Sequence, residues 1–440
     1  MKFETDYRLE RFILNTRWED LPPEVQQRLK GCLIDLMGAL ISGSRSKQFQ
    51  AGLTLARRAF RGGDIAVIGA KDRFDFFGAT AVMGHSSNAY DIDDGHNIIR
   101  AHPGTSFISG LLAAGYEKDL SAGEFLAALY VAYEVTIRMG AAIMDYYQYA
   151  HSSGTFGAVG VAAGAGRIFG FTKEEMNNVL SVAEFNAPLV PGIRSVEYPS
   201  MNKDGVPFGA MVGALAVLES MSGFTGNKNL LEAEEYRHYL DDLGQKHQVM
   251  ELYFKPYPCC RWAHPAIDAC LSLIRKHGVR PEEIASVTVY TFEKATQLSK
   301  GVPHFADEAQ YNIAYPVASA LVNNGFSIAQ VEQTDDPAVA GMMQKLSFVC
   351  DPELNAAFPQ KRLCRAEITL GDGGVLRSAV HEPRGEASEH IDCAWLSDKF
   401  RRTTEGIVAP AGQEELLSLM AAEGWTVRGL VEKANSLCQG

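Results

Sequence analysis

Apolar residues recur with a helical period through the first half of the chain. After Leu21-Pro22-Pro23-Glu24, the residues Val25, Leu29, Cys32, Leu33 and Leu36 fall on one face, and prolines near the first turn mark a helix start. Further helical runs are predicted at 76–90, 104–115, 122–138 and 159–168. In Gly170-Phe171-Thr172-Lys173-Glu174-Glu175, glycine ends one helix, threonine caps the next, and Glu175 stands in the capping-box position. Small residues such as Gly157, Ala158, Gly160 and Gly164 let these helices approach closely.

The period changes after about residue 280. Ile284–Thr291 alternates and is β-branched, which predicts a strand. A second pair of strands, 364–370 and 375–381, flanks the hairpin signal Gly371-Asp372-Gly373-Gly374, with helical runs at 315–323 and 337–346 in between. After Pro383-Arg384-Gly385 the pattern is helical again. The expected fold is mainly α: a large all-helical domain at 1–250, to which 390–440 return, and a smaller α/β domain at 251–389.

Length and composition agree with a globular chain of more than one folding unit: 440 residues, 46% apolar and 21% charged. The formal charge of −12 argues against nucleic acid as a partner, because phosphate neutralisation needs a surplus of Lys and Arg. A small anion is still a suitable ligand, since a few local cations can dominate a pocket. The start, MKFETDYRLERF, is charged and lacks an apolar core, so no signal peptide is expected. No membrane span is expected either, for want of about 18 apolar residues free of charge. Eight cysteines without framework spacing fit a reducing compartment, and the cytoplasm is the expected location.

The densest reactive cluster is Asp91-Ile92-Asp93-Asp94-Gly95-His96, followed by His102-Pro103-Gly104. Carboxylates this close repel and displace one another's pKa, as general acids and bases require. A carboxylate-rich Mg²⁺ loop and a solvated helix cap are the rival readings of the same residues. No His-x-x-x-His or Cys-x-x-Cys spacing supports a transition-metal site. His151 precedes a Gly/Ala-rich helix, where free amides favour anions, and Lys203 opens another small-residue helix. Lys255-Pro256-Tyr257-Pro258-Cys259-Cys260-Arg261-Trp262-Ala263-His264-Pro265 crowds two cations, a phenol, two thiols and an imidazole ahead of a helix. Arginine grips carboxylates through two parallel hydrogen bonds, so this segment suits a polycarboxylate. The adjacent thiols also admit nucleophilic chemistry or a vicinal disulfide. Glycine fingerprints for nucleotides and the G-x-S-x-G of serine hydrolases are absent.

Taken in order, these segments resemble the MmgE/PrpD family, which includes 2-methylcitrate dehydratase, cis-aconitate decarboxylase and iminodisuccinate epimerase. The resemblance begins at Trp18-Glu19-Asp20-Leu21-Pro22-Pro23 and passes through Asp91-Ile92-Asp93-Asp94, His102-Pro103, His151 and Lys203. It continues through Gly223-Phe224-Thr225-Gly226, Lys255-Pro256-Tyr257-Pro258 and Ala309-Gln310-Tyr311, ahead of Tyr315. It implies that the α/β domain is a lid, that the active site lies in the cleft beneath it, and that the protein is a homodimer without metal or organic cofactor. It also implies catalytic roles for Asp91, His102, His151 and Lys203. Substrate contacts are expected from Lys255, Tyr257, Cys260, Arg261 and His264, with Asp94 and Tyr315. Three positions depart from the pattern: Gly95 replaces the Thr of some members, Val206 the His of several, and Cys260 the His of the decarboxylases.

The expected activity is therefore proton removal next to a carboxylate of a small di- or tricarboxylic acid, followed by loss of water in the manner of 2-methylcitrate dehydratase. Epimerisation of an amino- or imino-dicarboxylate and decarboxylation of a cis-aconitate type of substrate are the near alternatives. A metal-dependent hydrolase and a non-catalytic ligand-binding protein are the distant ones.

Overall fold

Pro23 opens helix Pro23–Gly43, where its missing amide proton costs little because first-turn amides have no intrahelical partner. Val25, Leu29, Cys32, Leu33 and Leu36 are all buried, as their spacing requires. The computed structural model describes residues 1–438 and is mainly helical, with only small sheets. The remaining N-terminal runs form helices Phe76–Ser87, Pro103–Lys118, Ala122–Tyr147 and Ser153–Ile168. The first of them stops short of residue 90, because the chain leaves helical geometry at Asn88 and turns through a left-handed Asp91 at φ 52°. Thr172 and Glu175 form the expected capping box at the start of helix Lys173–Asn186. Helix Ala122–Tyr147 is long and apolar enough to cross a bilayer, but its most apolar 18-residue window lies wholly inside the protein.

Helix Val206–Met221 packs against helix Ser153–Ile168 at very short range. A Cβ on Gly209 would stand 2.0 Å from the Gly154 carbonyl oxygen, so only glycine permits this approach. The consequence is that the two helices begin side by side.

Ile284–Thr291 and Cys364–Leu370 are antiparallel strands, with Val287 opposite Ile368. The hairpin partner is shorter than the alternation suggests, Val375–Arg377. Ser378 ends it, because its hydroxyl takes the Ala366 amide at 2.9 Å in place of a main-chain carbonyl. On the other edge, Leu346–Cys350 runs parallel to Ile284–Thr291. This strand was not expected: helix Pro337–Met343 ends earlier than the apolar run implies, and the strand is largely exposed, which blurs its alternation.

Buried apolar side chains form two clusters. The first joins the N-terminal helices to Phe254 and to Leu396, Phe400, Leu416 and Leu430 of the C-terminal helices. The second gathers Tyr257, Ile267, Val289, Ile313 and Tyr315. Tyr90 and Ile92 pack in the second cluster, whereas Ile99 packs in the first. The carboxylate-rich loop therefore runs along the seam between them.

Candidate active site

Three helices begin at one cavity of about 420 Å³. His102 stands just before Pro103–Lys118, His151 just before Ser153–Ile168, and Asp204 just before Val206–Met221; all three line the cavity. The positive ends of their dipoles favour an anion there.

A short ladder between Asp94–His96 and Leu252–Phe254, with Gly95 opposite Tyr253, brings Tyr253 to the cavity. A Cβ on Gly95 would lie 2.2 Å from the Tyr253 ring, so the glycine lets the two strands close. The Tyr253 ring in turn carries the Arg261 guanidinium 3.5 Å from its centroid. The ladder also delivers Lys255, whose Nζ lies 2.6 Å from Asp91 Oδ1 and donates to the Asp91 carbonyl at 2.9 Å.

His102 sits among carboxylates. Its Nδ1 is 2.9 Å from Asp93 Oδ2, and its Nε2 is 3.3 Å from Asp91 Oδ1 and 3.5 Å from Asp204 Oδ2. Burial and the neighbouring Lys255 oppose a charge on the ring, but Asp93 and Asp91 outweigh them and push its pKa up to about 10. Burial alone would raise Asp93, yet His102 and Lys255 hold it down at about 2. Burial raises the Asp204 carboxyl against the pull of His102. His151 is the reverse case. Both its ring nitrogens are buried without a hydrogen-bond partner, the ring stacks on Tyr149 with centroids 4.0 Å apart, and burial drops its pKa to about 4. At neutral pH one cavity thus presents an imidazolium and a neutral imidazole.

The charge balance of the lining is cationic. Arg100, Lys255, Arg261, Lys294 and Arg362 face the cavity against the carboxylates of Asp91 and Asp204. Residues 7–245 match the MmgE/PrpD N-terminal domain, and residues 257–422 match the MmgE/PrpD C-terminal domain. The chain belongs to the MmgE/PrpD family. It is similar to a cis-aconitate decarboxylase-like protein, oryM, of Aspergillus oryzae, with 24% identity over 88% of each chain. It is also similar to a cis-aconitate decarboxylase of Aspergillus terreus, with 22% identity over 92% of this chain and 90% of the relative.

Of the residues expected from the sequence of this MmgE/PrpD protein, Asp91, His102, His151, Lys255, Cys260 and Arg261 meet in the cavity. Five others do not line it. Lys203 is buried with its ammonium on the Asn88 carbonyl at 3.1 Å, on the Ala89 carbonyl, and on Gln310 Oε1 at 2.7 Å. Asp94 lies behind the loop, accepting from the Gly104 amide at 3.0 Å and from the Tyr133 hydroxyl; burial pushes its pKa up to about 7. Tyr257 donates to Asp268 at 2.7 Å, His264 bonds the Cys259 carbonyl at 3.0 Å, and Tyr315 donates to the Gln330 and Gln333 carbonyls. Each of these polar tips is engaged inside the protein, away from the cavity.

Asp204, Arg100, Lys294 and Arg362 line the cavity without having been singled out. Asp204 carried a signal in its place before a helix N-terminus beside Lys203. Arg362 carried none, because it enters from a loop after helix Pro352–Ala356 and lies remote in sequence from every other charged group of the lining. Cys259 and Cys260 are both free thiols, and burial pushes Cys260 up to about 12, which disfavours the thiolate that a nucleophile needs. Among the described residues, Asp91, His102 and Asp204 have donor atoms within 4.8 Å of one another, a spacing open to a metal ion. Two cations already compete for that position, however: the Lys255 ammonium on Asp91 and the protonated His102 ring itself.

Proposed function

We propose that this protein is a lyase acting on a small di- or tricarboxylic acid, without a cofactor, by removing a proton next to a carboxylate and expelling water. The observation that carries this reading is the pair of imidazoles on one cation-lined cavity, His102 set among carboxylates that favour its charged form and His151 buried without a polar partner. Dehydration needs a base and an acid at once, and environments that push two pKa values apart supply both. His151 takes the carbon-bound proton. Lys255, Arg261 and the other cations hold the substrate carboxylates and the negative charge that builds on them. As the double bond forms, the carbon–oxygen bond breaks and the His102 imidazolium protonates the departing hydroxyl, which leaves as water. Solvent then returns the proton from His151 to His102.

The reading includes a helical domain at 1–250 with 390–440, a lid at 251–389 and a homodimer. Two separate apolar clusters support the division. Phe208, Leu215 and Leu218, exposed along one helix, support self-association.

Decarboxylation is the second reading, favoured by the names of the Aspergillus relatives. There His102 would protonate carbon while CO₂ leaves, and no base would be required. Incubation of citrate, 2-methylcitrate, cis-aconitate and iminodisuccinate in deuterated water, followed by NMR, separates these outcomes. New vinylic signals from a hydroxy acid are expected. Release of CO₂ would transfer the assignment to a decarboxylase, and deuterium uptake without net reaction to an epimerase. Inertness toward all such acids would sink the lyase reading.

A further inference from the structure

The loop that carries Asp91 and Asp93 is held by three buried ammonium groups from three distant parts of the chain. Lys203 donates to the carbonyls of Asn88 and Ala89, Lys255 to that of Asp91, and Lys399 to that of Ile92 at 2.5 Å. Lys399 belongs to helix Cys393–Thr403 and is not part of the cavity lining. Its charge is balanced by Asp35 of helix Pro23–Gly43, with Nζ 2.5 Å from Oδ1 and both side chains almost fully buried. A buried pair of this kind gives little net stability over an apolar pair of similar volume. Its geometry does something an apolar pair cannot: it fixes a main-chain carbonyl of the residue between Asp91 and Asp93.

We propose that the Asp35–Lys399 pair is a positioning device, which holds Ile92 so that Asp91 and Asp93 face the two nitrogens of His102. The inference rests on the lyase reading for its effect on rate, but its geometric part stands without it. Removing the clamp lets the loop relax, and the two carboxylates draw away from the imidazole. An error of about an ångström in such a group can reduce the rate on the order of 100-fold.

Lys399→Met alone leaves the Asp35 carboxyl buried without its cation and is liable to misfold. The double variant Asp35→Asn/Lys399→Met removes both charges together, so the net charge near His102 is unchanged. Two readouts are taken on the full-length double variant, after circular dichroism has shown the parent fold. The first is the titration of His102 by NMR of histidine-labelled protein, with the resonance assigned by His102→Gln. The second is the separation of kcat from KM on the acid found by the substrate screen. His102 is expected to lose its proton at lower pH, toward the ordinary value near ~6.5. The expected kcat is roughly 10- to 100-fold lower, with KM within about twofold of the parent. A folded double variant in which His102 titrates as in the parent overturns the proposal. So does one that raises KM and leaves kcat intact. If the parent turns over none of the acids, the lyase reading fails, and the His102 titration still decides whether the clamp exists.

Discussion

At the residue scale, His102 keeps its proton because burial, which opposes the charge, is outweighed by Asp93 and Asp91. The sign of the pH dependence follows. The acid form of His102 is present below about 10, and the base form of His151 is present above about 4. The profile of kcat/KM should therefore be flat across neutrality, falling below pH 4 as His151 gains a proton and above pH 10 as His102 loses one. Asp93→Asn removes the strongest support for the imidazolium, so the alkaline limb should move down by one or more pH units while the acid limb stays in place. An unmoved alkaline limb in that variant would show that His102 is not the acid. His102→Ala and Asp91→Asn should each lower kcat on the order of 100-fold or more with the fold retained by circular dichroism, and each should also lower the melting temperature, because each breaks a buried ion pair. Normal rates in both would remove these residues from the mechanism.

At the element scale, the site depends on helices that start together and on one three-residue ladder. Gly154→Val and Gly209→Val each place side-chain atoms where a neighbouring backbone already lies. A loss of about 1–3 kcal/mol is expected from such overpacking, readable as a lower urea midpoint. At Gly95 the obstacle is the Tyr253 ring, and a displaced ring also disturbs Arg261. Gly95→Thr should therefore raise KM for a polycarboxylate more than it lowers stability, a difference that kinetics and melting resolve together. The helical run of 76–90 shows why element ends are harder to read than element types. Nothing in the local pattern distinguishes Asn88 as the point of departure; the carbonyls beyond Ser87 are bonded by Lys203, a residue 115 positions away from Asn88.

For the whole molecule, the competing metal reading and the association state are open to direct measurement. Exhaustive EDTA treatment followed by gel filtration should leave full activity, because Lys255 and the protonated His102 occupy the positions a cation would need. Loss of activity restored by Mg²⁺ would reverse that conclusion. Leu215→Glu with Leu218→Glu should shift a dimer toward monomer in light scattering, since both side chains stand on the exposed apolar stripe of helix Val206–Met221. An unchanged mass would place any dimer contact elsewhere.

Local chemistry alone determines much of this protein. Helix starts at Pro23 and Thr172, the Ile284–Thr291 strand and the reactive cluster near Asp91 were legible because each depends on neighbours in sequence. Tertiary structure decided which reactive groups meet. Lys203, His264, Tyr257 and Tyr315 looked as available as His151, but their polar tips are spent on interior partners. No local pattern singles out Arg362, Lys294 or Lys399, yet the first two face the cavity and the third donates to the Ile92 carbonyl of its loop. Hydrogen bonds and ion pairs act over a few ångströms and take no account of sequence distance, so only the folded chain could sort the side chains that face the cavity from those engaged in the interior.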